Sequence, residues 1–277
     1  MAVDVTSWAE FLTAASGDDP TLEINLPENA VWDLAEIEPE GHSGSIKLCG
    51  QIAGNGTKIK NLVIQEGLST GVFLVDGTVT DLHFIDGVYG QILSDIVTLQ
   101  TADSIVQLCT FSASVQGGGQ IYLFNFNMTG ASAIVYRCAC NIEVASASGI
   151  TLHGGNVIGK YNNFKVSGSR VGNVTLCTLN GTFSLGKMEY SSVTLDTPAV
   201  TSITGSSFWW SLLRCNGANV TDLSYVGDGS GQRITLACST DFPEVSTVSQ
   251  GLRLCTETQL RDAAYLQSIG FPIGVEA

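Results

Sequence analysis

A single all-β solenoid, a parallel β-helix closed at each end by a short helix, is the fold this sequence predicts, on three observations. Short runs with apolar residues two apart recur along most of the 277 residues, as in SIKLCGQI, KIKNLVI, GVFLV, VTDLHFI, SIVQLCTF and AIVYRCACNIEV. Gly, Asn, Asp and Ser punctuate them, as strand and turn chemistry requires. A loose internal period accompanies the runs: IKNLVI and VTDLHF align twenty residues apart with Leu62 over Leu82, and Cys140, Cys177 and Cys215 are spaced by 37 and 38 residues. That spacing reads as two turns of a coil. Finally, GNGTKIKNLVI, KYNNFKVSG and NVTDLSYVG share one shape: turn residues, alternating apolar positions, then Gly or a polar stop. Such a coil cannot bury its apolar face alone, so neighbouring coils must stack on a common core.

The elements follow in order. TSWAEFLTAASG reads as a helix that Thr6 or Ser7 caps, with Trp8, Phe11 and Leu12 at helical spacing. It is the N-terminal cap, residues 1–20, because an uncovered solenoid end invites unwanted strand pairing. Residues 21–255 are the solenoid. In the final part, 256–277, Thr256 or Thr258 caps a helix whose apolar face is Leu260, Ala263, Ala264 and Leu266, and Gly270 stops it.

Composition removes several classes. The hydrophobic share is 44% and the charged share 14%, which excludes a disordered chain. Twelve Lys plus Arg face 26 Asp plus Glu, a net charge of -14, so phosphate backbones and anionic membranes are repelled. No nucleic-acid or membrane partner is expected, and the N-terminus does not read as a signal peptide. The eight cysteines sit in strand-like text and read as buried reduced thiols. Cys138 and Cys140 share a strand face but have no companion ligands, so neither a metal nor another cofactor is expected.

GNGTKIKNLVI followed by GVFLVDGTVTDLHF resembles the opening coils of GLUG-type right-handed parallel β-helix proteins. The ending TETQLRDAAYLQSIGFPIG resembles C-terminal segments of β-helical proteins of gut Firmicutes and their phages. The resemblance implies a single right-handed parallel β-helix and a phage or prophage structural protein of the fibre, decoration or tail-associated kind. It also implies self-association, with a trimer as the common form.

Chemistry is sparse in the text. Cleavage of a glycosidic bond usually needs two carboxyl groups about 5–9.5 Å apart. The best local set is Asp76, Asp81, His83 and Asp86 in VDGTVTDLHFIDG. Inward Leu82 and Phe84 put Asp81 and His83 on the solvent face, so these two are the catalytic candidates. His153, in TLHGGN, resembles the Gly-His-Gly element of polygalacturonases but lacks its first Gly and the companion acidic elements. Phe208, Trp209 and Trp210 are the binding candidates, because a strand cannot bury all three and exposed aromatics stack on sugars or fill interfaces.

The reading is a non-catalytic virion protein that docks on a capsid or tail partner and binds a host surface glycan. The alternatives are a bacterial cell-surface or extracellular adhesin, and a polysaccharide lyase or glycoside hydrolase using Asp81 and His83.

Overall fold

The computed structural model describes residues 2–65, 67–91, 94–126, 128, 131–168 and 170–177, then 187–189, 191–196, 202–206, 208–209, 211–215, 222–226, 235–238, 247–248, 252–254, 256, 258–259, 262–268. It is a parallel β-solenoid, every strand pairing among the described residues running in the same direction. On one wall Ile24 pairs with Ile52, Ile52 with Val79, Val79 with Val106, Val106 with Val135, and Val135 with Gly159. A second wall stacks Trp32, Ile59, Phe84, Phe111, Cys140, Phe164 and Val193. A third stacks Ile46, Phe73, Val97, Phe124 and His153. One coil therefore takes 24–29 residues over this stretch.

That register corrects the twenty-residue period. Thr57, not Leu62, lies against Leu82, and Ile59 against Phe84. Cys140 sits between Phe111 and Phe164, while Cys177 pairs with His153 on another wall, so the cysteine spacing does not count coils.

The corners explain how a chain of ordinary strands turns so regularly. Asn29, Asn55, Asp81, Leu108, Arg137 and Tyr161 all have φ between 51° and 58° and all precede second-wall strands. A residue in the left-handed region reverses the local path in one step, which is why Asn and Asp supply half of them. The residue after the turn is then directed inward: Leu82, Cys109, Cys138 and Asn162 are buried. Asn162 ties the corner together, donating to the Val135 carbonyl at 3.0 Å and accepting from the Cys138 N–H at 2.8 Å. Another corner uses Gly50 and Gly77, with φ of 132° and 119°, where a Cβ on Gly77 would lie 2.4 Å from the Gly50 carbonyl oxygen. No side chain fits there.

Aromatic rings fill the shared core. Phe84 and Phe111 stack with centroids 5.9 Å apart, Phe73 lies 4.2 Å from Phe84, and Phe124 meets Phe111 edge-on at 5.7 Å. His153 continues this column between Phe124 and Phe164. It is 1% exposed, so its place is the core and not a surface site. Its ring occupies the space that Gly159 leaves open, since a Cβ there would come within 1.8 Å of Cε1.

Among the described cysteines, Cys49, Cys109, Cys138 and Cys140 are free and buried. The Cys109 and Cys138 thiols lean on the Val79 and Val106 carbonyls of the preceding coils, at 3.6 and 3.4 Å. Burial pushes the Cys109 and Cys140 thiols and the Tyr89 phenol upward.

The ends differ in construction. The strand Ala2–Asp4 precedes the N-terminal helix and pairs with Glu23–Asn25. Helix Trp8–Ala15 buries Trp8, Phe11 and Ala15 against the first coils, and Ser7 is its cap, accepting from the Glu10 N–H. At the other end Thr256 and Gln259 exchange reciprocal bonds of 2.9 and 3.2 Å, the capping box expected of a Thr-x-x-Gln start. A second cap follows, Asp262 accepting from Ala264 and Tyr265 and opening helix Ala263–Ser268. The segment read as one helix thus carries two starts. Leu260 and Gly270 lie outside the described residues.

Two outcomes are expected. Gly159→Ala should destabilise the chain by about 1–3 kcal/mol through overpacking. In urea unfolding, adding His153→Ala should recover part of that loss, because the colliding ring is gone. A thiol or phenol whose pKa is raised on folding keeps more proton in the folded chain at alkaline pH. Its stabilisation is whole below the unfolded thiol value of about 8.5 and declines as pH rises. The urea midpoint should therefore fall steadily above that pH.

Candidate functional site

The second wall turns one polar face to solvent. Alternation fixes it, because the residues between the buried Phe84, Phe111, Cys140 and Phe164 positions point outward. In register, Lys58, His83, Thr110, Ala139 and Asn163 form one outer row. Ser112, Asn141 and Lys165 form the next, and Ser114, Glu143 and Ser167 the third.

Asp81 and His83 meet on this face. The Asp81 carboxylate Oδ1 lies 3.1 Å from His83 Nε2, and His83 Nδ1 lies 3.1 Å from the Thr110 hydroxyl on the next coil. The left-handed turn at Asp81 is what swings the carboxylate back onto the ring two residues later. Donation from Nε2 to Asp81 leaves Nδ1 to accept from Thr110, giving a continuous Thr–His–Asp chain. The order is that of a nucleophile, base and orienting carboxylate. Acyl-transfer chemistry also needs preorganised donors where negative charge develops. Here Thr110 opens the strand Thr110–Phe126, and it is paired to the coils on both sides, with His83 and with Ala139. The side chains are half-buried and exposed, 21% for His83 and 43% for Asp81, as on a solvated sheet face.

The other two acids of that sequence motif separate. Asp76 accepts from the Thr101 hydroxyl at 3.2 Å and stands opposite Cys49 on a different wall. Asp86, at a second left-handed corner with φ 57°, reaches a cleft of about 390 Å³ on the same outer face. Ser112, Ser114, Asn141, Glu143 and Lys165 line the rest of it. The cleft falls within the ~300–1,000 Å³ of small-molecule sites, but its walls are polar where such sites are mostly apolar. Asp86 and Glu143 belong to strands separated by one intervening coil. Two strand spacings put their backbones about 10 Å apart before any offset along the strand.

Sequence reasoning missed Asn141, Glu143 and Lys165. Their signal was the outward phase of CNIEV and NNFKV, legible only once coils are placed in register. It also missed Asp95, a buried carboxylate that accepts from Ser94, Thr98 and Asn125, the last bond crossing to the next coil at 3.1 Å. Of the aromatic binding candidates, Phe208 and Trp209 form a short strand opposite Met188 and Glu189. Their side chains, and Trp210 entirely, lie outside the described residues. His42 pairs with Glu38 at 3.3 Å near the N-terminal end. Among the described residues, no group of three or more His, Cys, Asp or Glu converges as a metal site would, and no helix is long and apolar enough to cross a membrane.

Comparison with protein-family models, curated proteins and solved structures gives no match. The chemistry of this face therefore carries the functional argument.

A pair of substitutions separates structural from solvated carboxylates here. Asp95→Ala strands buried donors and should cost about 1–3 kcal/mol. His83→Ala removes a solvent-facing hydrogen bond to Asp81 and should cost less than about 1 kcal/mol. Denaturant midpoints of the two variants check the contrast.

Proposed function

We propose that this chain is a non-catalytic structural component of a phage or prophage particle, a fibre, decoration or tail-associated protein. It docks on a capsid or tail partner and offers its outer polar face to a host glycan. The observation that carries the reading is the cleft itself: lined by hydroxyls, an amide, two carboxylates and an ammonium, and mounted on a continuously stacked core. Sugar hydroxyls are paired donors and acceptors, and such a lining offers them both, with one carboxylate in excess. A solenoid core holds these groups on strands, which position a binding surface better than loops do. The likeness of the C-terminal segment to β-helical proteins of gut Firmicutes and their phages supports the particle location.

A second reading has one observation in its favour, the Thr110–His83–Asp81 chain. It predicts hydrolysis or elimination of a polysaccharide or ester that His83→Ala abolishes.

Mass spectrometry of purified particles from an induced or infected culture tests the first reading. Recovery at fixed stoichiometry with the major capsid protein is expected, and recovery only from the envelope or medium overturns the location. On a glycan array, the Asn141→Ala/Glu143→Ala double variant should lose about tenfold or more in affinity for any glycan the parent binds. Release of reducing ends or unsaturated sugars by the parent, lost in His83→Ala, would favour the enzyme instead.

A further inference from the structure

The first coil is electrically unlike the rest of the molecule. Residues 1–46 hold ten of the chain's 26 carboxylates and none of its 12 Lys or Arg. The same end has an open strand. Among the described residues, Ala2–Asp4 pairs on one side only, with Glu23–Asn25. Val5 donates its N–H to the Asn25 carbonyl at 3.0 Å. Successive residues of a parallel strand aim their backbone groups at opposite neighbours. Val3 and Val5 therefore face the existing rung, and the N–H and C=O of Asp4 face away from it. The next outward N–H, that of Thr6, is taken by the Glu10 carboxylate at 2.8 Å, which ends the available edge at the helix.

Beside this edge runs a groove of about 590 Å³ between the strand and the N-terminal helix. Val3, Val5, Ala9, Ala14 and Leu22 give it an apolar floor, and Asp4 and Glu10 stand in its wall. Glu23, Asp18 and Asp19 are exposed nearby in sequence, Asp18 being held by Lys47. Natural sheets rarely leave an edge beside apolar surface uncovered. The covering segment must bring strand-forming backbone, apolar side chains on one face and positive charge.

We propose that this end is a docking site for a basic, strand-forming segment of another protein. The segment adds a strand to Ala2–Asp4, seats alternate apolar side chains in the groove, and sets Lys or Arg against Asp4 and Glu23. Main-chain bonds supply the affinity and alternate side chains the specificity. A second copy approaching with the same end would bring two uncompensated acidic coils together. The site gives molecular form to the docking role proposed above, but it is testable without reference to any particle.

The experiment uses the full chain and dye-labelled synthetic peptides: one alternating Val and Lys, one alternating Val and Glu, and one alternating Pro and Lys. Fluorescence anisotropy should show binding of the Val/Lys peptide and at least tenfold weaker binding of the other two. Raising salt from about 0.1 M to about 1 M should weaken the complex, since the Debye length shrinks from roughly 10 to 3 Å. Asp4→Pro removes the outward N–H without touching those of Val3 and Val5, and should weaken binding about tenfold. Asp4→Lys/Glu23→Lys, which leaves the backbone intact, should do the same by charge alone, with both thermal transitions unchanged. Equal binding of the Lys and Glu peptides, or full binding by both variants, overturns the site. Concentration-dependent assembly of the chain that Asp4→Pro abolishes also overturns it, by placing a second copy there. A chain absent from particles that still binds the Val/Lys peptide would overturn the location and leave this site standing.

Discussion

The structure depends on one constraint, that each coil must complete its neighbour. Among the described residues a strand has no pairing within its own coil, because its pairings run to the coil before or the coil after. Its apolar side chains likewise have no core until the coils stack. Register and burial are therefore a single requirement, since a one-residue slip would turn every inward ring to solvent. The left-handed corners hold that register. Where Asn or Asp occupies them the strain is small, but Leu108, Arg137 and Tyr161 also adopt positive φ. A left-handed non-Gly residue costs roughly 1–2 kcal/mol. Bonds between coils offset it, including Leu108 N–H to the Tyr136 carbonyl and Arg137 N–H to the Lys160 carbonyl, both 3.0 Å.

The same constraint creates the functional surfaces. Inward stacking of Phe84, Phe111, Cys140 and Phe164 obliges the intervening residues to form straight outer rows. His83 beside Thr110, and Asn141 beside Lys165, are consequences of core register as much as of surface chemistry. Stacking also produces ends, and an end is the one place where a solenoid presents unpaired backbone. The acidic first coil and the polar second wall are therefore distinct kinds of surface, one suited to an extended chain and the other to a polyhydroxylated ligand.

The fold class was legible because alternation with period two and turn residues at close intervals are local signals. The N-terminal helix was legible for the same reason. Register was not. Leu62 and Leu82 matched because Asn61 and Asp81 are both left-handed corner residues followed by a buried Leu. They mark successive types of corner around the coil, so the repeated text was real while the period drawn from it was wrong. Asp81 and His83 were found from sequence because their contact spans two residues. Thr110 lies 27 residues from His83, and the Asp86–Glu143 cleft crosses coils, so both required the true step. His153, which the sequence offers only as an incomplete Gly-His-Gly element, lies in the core, where Gly159 six residues on leaves room for its ring.

Native-state hydrogen exchange tests the central claim most directly. If the coils form one shared stack, amides in 73–91, 110–126 and 139–155 should be the slowest and should exchange with a common opening free energy, while Ala2–Asp4 opens more readily at its unpaired edge. Separate opening energies for these three stretches, or rapid exchange through the Phe84–Phe111–Phe124 column, would contradict a single core and with it the rigid outer rows on which both proposed surfaces rest.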